Sequence, residues 1–134
     1  MRPAFGLTAV WDRIGRERAV SQDCIFCKIA RKEAPSTVVY EDEDVLAFRD
    51  INPIAPVHVL VIPKKHVEKL SDFDPEAERE LWAKLLRAVQ KVAELTGVKD
   101  SGYRVVINEG PHGQQTVFHL HLHVIGGRQL RWTM

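Results

Sequence analysis

Six histidines occur in this chain, and three of them stand at alternate positions: His119, His121 and His123, interleaved with Leu120, Leu122 and Val124. Side chains on an extended strand alternate between its two faces. The three imidazoles therefore share one face and the aliphatic residues the other. Consecutive rings stand about 6.6 Å apart at a rise of about 3.3 Å per residue, a spacing that can line one small anionic substrate group. Burying three ionisable rings on one face is costly unless each has a partner, so the row marks a site rather than packing. The competing chemistry is a metal centre, because imidazole is a common metal ligand.

A second constellation is Cys24-Ile25-Phe26-Cys27. Its two-residue spacing is that of a zinc knuckle. A redox C-x-x-C usually follows a strand in a βαβ setting, which is missing here. A third reading, two reduced core thiols without metal, stays open. Among other polar residues, Asp50 and Asn108 are candidates for function or for capping turns. Thr116 by itself is an ordinary strand residue, and His58 faces away from Val57 and Val59. His112 sits at a loop tip, Gly110-Pro111-His112-Gly113, and is given no role.

These residues need elements to hold them. Asp23 is placed to cap a short helix through about Arg31, with Ile25, Phe26 and Ile29 apolar. Val38 to Tyr40 and Val45 to Phe48 predict two strands joined in a hairpin by the acidic turn Glu41–Asp44. The β-branched run Val57 to Ile62 predicts a buried strand that Pro63 stops. Asp74 and Pro75 are the cap and first residue of a long helix reaching Thr96. Its first turn is acidic, it carries an apolar stripe of Leu81, Leu85, Val89 and Val92, and Gly97 ends it. Strands follow at Tyr103 to Ile107 and from about Val117 to Ile125, the second broken by Gly126-Gly127. Antiparallel strands with one long helix imply an α+β domain. The long helix also argues against an all-β, cupin-like metal site on an H-x-H strand.

The 134 residues suit one domain with a single core. Residues 1 to about 20 stand outside the pattern and are expected to form an extension, which Trp11 and Ile14 could dock. The domain proper is expected over 21–134. A formal net charge of +1 gives no bulk field toward nucleic acid or an acidic membrane. The basic run Arg13, Arg16 and Arg18 is interrupted by Asp12 and Glu17. Two cysteines do not make a secreted disulfide scaffold, no apolar stretch approaches the roughly 18 residues of a membrane span, and the start is a poor signal peptide. A reducing cytoplasm is the expected compartment.

The segment His119-Leu120-His121-Leu122-His123-Val124 resembles the motif of the histidine triad (HIT) superfamily. Four further segments resemble its Hint branch, adenosine phosphoramidase-like nucleotide-binding proteins. They are Asp50-Ile51-Asn52-Pro53, His58 through His66 (HVLVIPKKH), Tyr103 through Gly110 (YRVVINEG) and Gly126-Gly127-Arg128-Gln129. The resemblance covers about Cys24 to Trp132. It implies a HIT-like fold, an antiparallel sheet of about five strands with one long and one short helix.

It also implies a two-step hydrolysis of a purine nucleoside phosphoramidate. His121 attacks the α-phosphorus as a neutral imidazole, the leaving group departs, and water hydrolyses the nucleotidyl-histidine. The catalytic candidates are His121, His123, His119 and His58, with His58 supporting the triad. His123, Gln115 and Thr116 would line the phosphate site together with backbone N–H groups. Asp50 would take the ribose hydroxyls, Ile51 would pack on the base, and Asn108 would sit beside the phosphate. Some HIT relatives hold zinc through four residues that map to Cys24, Cys27, His66 and His119, a closed Cys₂His₂ set suited to structural zinc. Zinc-bound His119 is no free general acid. The family is usually a homodimer, and Trp132 is placed like its C-terminal tryptophan.

Two departures stand out. Gln114 occupies a position where the family usually has glycine, which costs energy if the site needs positive φ. The chain ends in Trp132-Thr133-Met134 without the usual Pro-Pro-Gly. The alternatives to phosphoramidate hydrolysis are cleavage of dinucleoside polyphosphates and a nucleotide-binding scaffold with little catalysis.

Overall fold

The computed structural model describes residues 23–133; the extension expected over residues 1 to about 20, with Trp11 and Ile14, lies outside the described residues. Strand formation centres on the β-branched run. β3 (Val57–Pro63) is buried at every position after its first, because neighbours flank it on both edges. β2 (Val45–Arg49) pairs with it on one side and β5 (Leu122–Gly126) on the other. β1 (Val38–Glu41) adds to β2, and β4 (Tyr103–Ile107) to β5, giving the antiparallel order β1-β2-β3-β5-β4. The acidic turn works as expected: Asp42 Oδ1 accepts from the backbone N–H groups of Asp44 and Val45, both at 2.8 Å.

The period of two sends alternate residues to opposite faces, and each face is covered by one helix. Val45, Ala47, Val59, Val61, Leu122 and Val124 pack against Leu85, Ala88, Val89 and Val92 of α2 (Arg79–Thr96). Leu46, Phe48, Leu60 and Ile62 face the other way, under Phe26 and Ile29 of α1 (Ile25–Ala30). His123 lies opposite Leu60 in the β3–β5 ladder and His58 two residues before it. The histidines therefore belong to the α1 face.

Three expectations need correction. α1 is capped by Cys24 rather than Asp23: the Cys24 thiol accepts from the Cys27 N–H at 3.4 Å. The long helix begins at Arg79, not Pro75. Asp74 does cap a turn, accepting from Glu76 and Ala77 N–H, but Glu78 at φ −118°, ψ 47° breaks the helical path before α2 starts. Gly97 closes α2 as expected, at φ 79°. Finally, β5 starts at Leu122 rather than Val117. The ladders on both edges of β5 stop there, Leu122 lying opposite Val61 on one side and Ile107 on the other as the last pairs, and the earlier residues bond elsewhere; Leu120 N–H donates to the Val67 carbonyl at 2.6 Å. The alternation still persists, with Leu120 in the α2-side core.

Leu85 is fully buried at the centre of the α2 interface. Leu85→Ala is expected to cost about 2–5 kcal/mol of unfolding free energy, seen as a lower denaturant midpoint at unchanged slope. A loss under about 1 kcal/mol would mean that α2 is not seated there.

Candidate active site and metal cluster

Where β3 ends, the chain brings four soft or borderline donors together. Cys24 Sγ lies 3.3 Å and Cys27 Sγ 3.5 Å from His119 Nδ1, and Cys27 Sγ lies 3.2 Å from His66 Nδ1. All four donor atoms fall within 4.8 Å of one another. A tetrahedral ion with metal–sulfur bonds of about 2.3 Å and metal–nitrogen bonds of about 2.0–2.1 Å needs separations of this order. The second ring nitrogen of His119 donates to the Pro63 carbonyl at 2.8 Å, which fixes the tautomer and turns the Nδ1 lone pair toward the sulfurs. Burial lowers the His66 imidazole pKa and brings that of His119 down to about 4, so both are in the neutral, ligating form. His66 Nε2 is buried and makes no hydrogen bond. The residues present fit a four-coordinate metal, and four protein ligands leave no open position for substrate.

The second group begins two residues further on, at His121. His121 is 7 % exposed, and its Nδ1–H donates to the His119 carbonyl at 2.7 Å. That bond leaves the Nε2 lone pair unprotonated. A chain of bonds sets the neighbouring tautomers. The Ile54 N–H donates to His58 Nδ1 at 3.2 Å, so His58 carries its proton on Nε2. It donates that proton to His123 Nδ1 at 2.9 Å, with Asp50 Oδ2 farther off at 3.4 Å. His123 therefore keeps its proton on Nε2, as a donor. Its ring lies 4.9 Å from that of His121.

Burial pushes the pKa values of His58 and His121 down, and that of His123 to about 4, with His121 and His58 adding to the effect at His123. Near neutral pH the group holds neutral rings, one offering a lone pair and one an N–H. Asp50, His58 and His123 also sit within metal-binding distance of one another, but the proton on His58 Nε2 occupies the position a metal would need.

The loop Asn108–Gln115 is held by its own polar residues. Asn108 donates to the Gly113 carbonyl at 2.7 Å. Gln115, 7 % exposed, gives its amide hydrogens to the Glu68 and Val117 carbonyls and accepts from Gly110 N–H. Glu109 accepts from the backbone and the hydroxyl of Ser71, anchoring the loop to the chain after β3. A Cβ at Gly113 would come within 2.4 Å of the Glu109 carbonyl, so only glycine fits. Gln114 stands at φ 59°, the left-handed region that the departure from glycine made a concern. Thr116 and His112 are exposed, as are Ile51 at 90 % and Trp132 at 92 %. Asp50 is half-buried, one carboxylate oxygen accepting from Asn52 N–H and the other facing His58.

Three participants escaped sequence reasoning: the Pro63 carbonyl, the Ile54 amide and Phe26, whose ring stands edge-on to His121. Main-chain partners leave no trace in residue types, and Phe26 reads as an ordinary core residue.

The HIT domain pattern matches residues 31–130. The chain belongs to the HIT domain family. It is 56 % identical over 110 residues to a protein of Zea mays named a 14 kDa zinc-binding protein, covering 81 % of this chain and 84 % of that one. The crystal structure of a HIT family hydrolase from Legionella pneumophila Philadelphia 1 is similar, with a TM-score of 0.79 and 49 % identity, covering 83 % of this chain and 98 % of that one. A zinc-bound histidine triad family protein from Mycobacterium smegmatis is similar at a TM-score of 0.70 and 40 % identity, covering 81 % and 77 %. In this HIT domain protein the two cysteines precede the matched segment, so the Cys₂His₂ group joins the domain to the helix ahead of it.

Gln114→Gly removes a left-handed strain of about 1–2 kcal/mol, partly offset by the added freedom of the unfolded chain. A net gain of up to about 1 kcal/mol in unfolding free energy is expected. A destabilised variant would mean that the Gln114 side chain holds the loop.

Proposed function

We propose that this protein is a nucleoside phosphoramidate hydrolase acting through a covalent nucleotidyl-His121 intermediate. The observation that carries the proposal is the bond from His121 Nδ1–H to the His119 carbonyl, which keeps Nε2 unprotonated and outward. In the first step Nε2 attacks the α-phosphorus, the bond from phosphorus to the leaving amine breaks, and the amine departs with a proton taken from solvent. In the second, water attacks phosphorus, the bond to Nε2 breaks, and a proton returns to solvent. His123 Nε2–H donates to a non-bridging oxygen, where transition-state charge accumulates. His58 holds that tautomer.

Asp50 accepts from the ribose hydroxyls, Ile51 packs on a purine base, and the exposed Thr116 hydroxyl contacts the phosphate. Asn108 and Gln115 act through the loop they shape. Cys24, Cys27, His66 and His119 hold a zinc ion, in keeping with the names of the relatives above. When bound, zinc fixes the segment that carries His121 and takes no part in the bond changes, so His119 serves as ligand and as carbonyl acceptor and not as an acid. Thiolate ligands suit a reducing, cytoplasmic setting, and among the described residues no helix is long and apolar enough to cross a membrane.

A homodimer is part of this proposal. β4 is an edge strand, its Tyr103 and Val105 are 36 % and 42 % exposed, and an open apolar edge invites a partner strand. Trp132 then lies free to reach a neighbouring copy.

Turnover of adenosine phosphoramidate by wild type and His121→Ala tests the chemistry. The variant is expected to lose activity by at least about a thousand-fold, and wild type to contain one zinc per chain. Equal rates would remove His121 from the reaction; an inactive wild type that still binds AMP would favour a scaffold. A metal-free protein indifferent to chelator would remove the zinc assignment.

A further inference from the structure

The bond from Nδ1 to the His119 carbonyl and the side chain's own Cβ–Cγ bond hold two adjacent atoms of the His121 ring, but the ring can still pivot about the line between them and carry Nε2 off line. A reacting group must be held within about 0.5 Å and 10–20° of its productive geometry, so a second contact is required. Phe26 supplies it. Its ring stands edge-on to His121, with centroids 5.2 Å apart and planes at 89°, a favourable aromatic arrangement. Phe26 is itself held by Phe48 at 5.4 Å and 75°, lies 6.0 Å from the His119 ring, and is 6 % exposed.

What holds Phe26 is also informative. It lies in α1 between Cys24 and Cys27, the two thiols of the metal cluster. A helix of six residues is far too short to persist by itself. The position of α1, and with it the Phe26 ring, depends on the burial of Phe26 and Ile29 and on the two cysteines that tie it to His66 and His119. The same cluster fixes the His119 carbonyl from the other side. It thus reaches the His121 ring by two routes, through the main chain of residue 119 and through the side chain of residue 26.

Resting on the proposed hydrolase chemistry, we propose that Phe26 is a positioning residue for His121, and that α1 transmits the integrity of the Cys₂His₂ cluster to the nucleophile through this ring. Phe26 acts on alignment rather than on affinity, so its removal lowers kcat and leaves KM in place.

The test uses four variants of the full chain, assayed on adenosine phosphoramidate, with zinc content and the ¹⁵N ring signals of His121 recorded without substrate. Phe26→Leu is expected to lower kcat about ten-fold or more, since small misplacements of a reacting group are costly. KM should stay within about two-fold, zinc stay bound, and the His121 ring signals broaden or shift. Cys24→Ser keeps a good helix cap while removing a thiolate. It should lose zinc, disturb the same His121 signals, and combine with Phe26→Leu less than multiplicatively. Ile62→Val trims the same apolar cluster and should leave kcat and the His121 signals unchanged.

A rise in KM at unchanged kcat in Phe26→Leu would make Phe26 a substrate contact and overturn the inference. So would equal kcat losses in Phe26→Leu and Ile62→Val, or a multiplicative double variant. His121 ring signals unmoved in both Phe26→Leu and Cys24→Ser would overturn it even if no phosphoramidate is turned over. An inactive wild type with disturbed ring signals in those two variants would instead sink the hydrolase proposal and leave the positioning role standing.

Discussion

One peptide carbonyl governs the site. The oxygen of His119 accepts the Nδ1 proton of His121 and so decides which nitrogen of that ring faces outward. Its authority comes from how firmly residue 119 is held. The ring is fully buried, its Nε2–H is committed to the Pro63 carbonyl, and its Nδ1 faces two sulfurs. A main-chain oxygen in an extended segment ordinarily seeks a ladder partner. This one is spared because the ladders on both edges of β5 end at Leu122, before the sheet can claim it. The end of the ladder is therefore a condition for the His121 tautomer.

Electrostatics follow from the same burial. Four histidines on the α1 face, His58, His119, His121 and His123, have pKa values lowered by desolvation. Each must be neutral, and a neutral imidazole has one donor and one acceptor nitrogen. The bonds distribute these roles without conflict: Ile54 N–H to His58, His58 to His123, His121 to the main chain, His119 to Pro63. A charged His58 ring would set an extra proton against the Ile54 N–H, and a charged His123 ring one against the His58 Nε2–H. The exposed edge of the site keeps a lone pair on one ring and an N–H on the next, the complementary pair that the proposed attack at phosphorus requires.

Much of this was legible in residue order. The β-branched run predicted β3, Tyr103–Ile107 was found with the expected bounds, and the period of two correctly separated histidines from leucines even where residues 119–121 leave the ladder. What failed was set by partners distant in sequence. Nothing near residue 117 announces that β5 must wait until Leu122, because its last pairs are with Val61 and Ile107. Nothing in Asp74-Pro75 shows that Glu78 interrupts the helical path. Likewise, spacing alone left Cys24 and Cys27 with three meanings; only the fold brings His66 and His119, 39 and 92 residues from Cys27, against their sulfurs. The Gln114 departure, by contrast, was visible as one residue type in a motif, since backbone strain depends on the local side chain.

The loop around Gln114 shows how such strain is tolerated. Its neighbours over-determine it: Gly113 packs against the Glu109 main chain, Asn108 holds the Gly113 carbonyl, Gln115 uses all its amide valences on backbone, and Glu109 is tied to Ser71. A left-handed residue persists only where the surroundings fix it from several sides. Those bonds consume the polar side chains of the loop, leaving exposed main chain and Thr116 for the phosphate contact proposed above. The division is consistent across the site. Buried polar side chains fix geometry and tautomers, and the groups left at the surface are the ones free to meet a substrate.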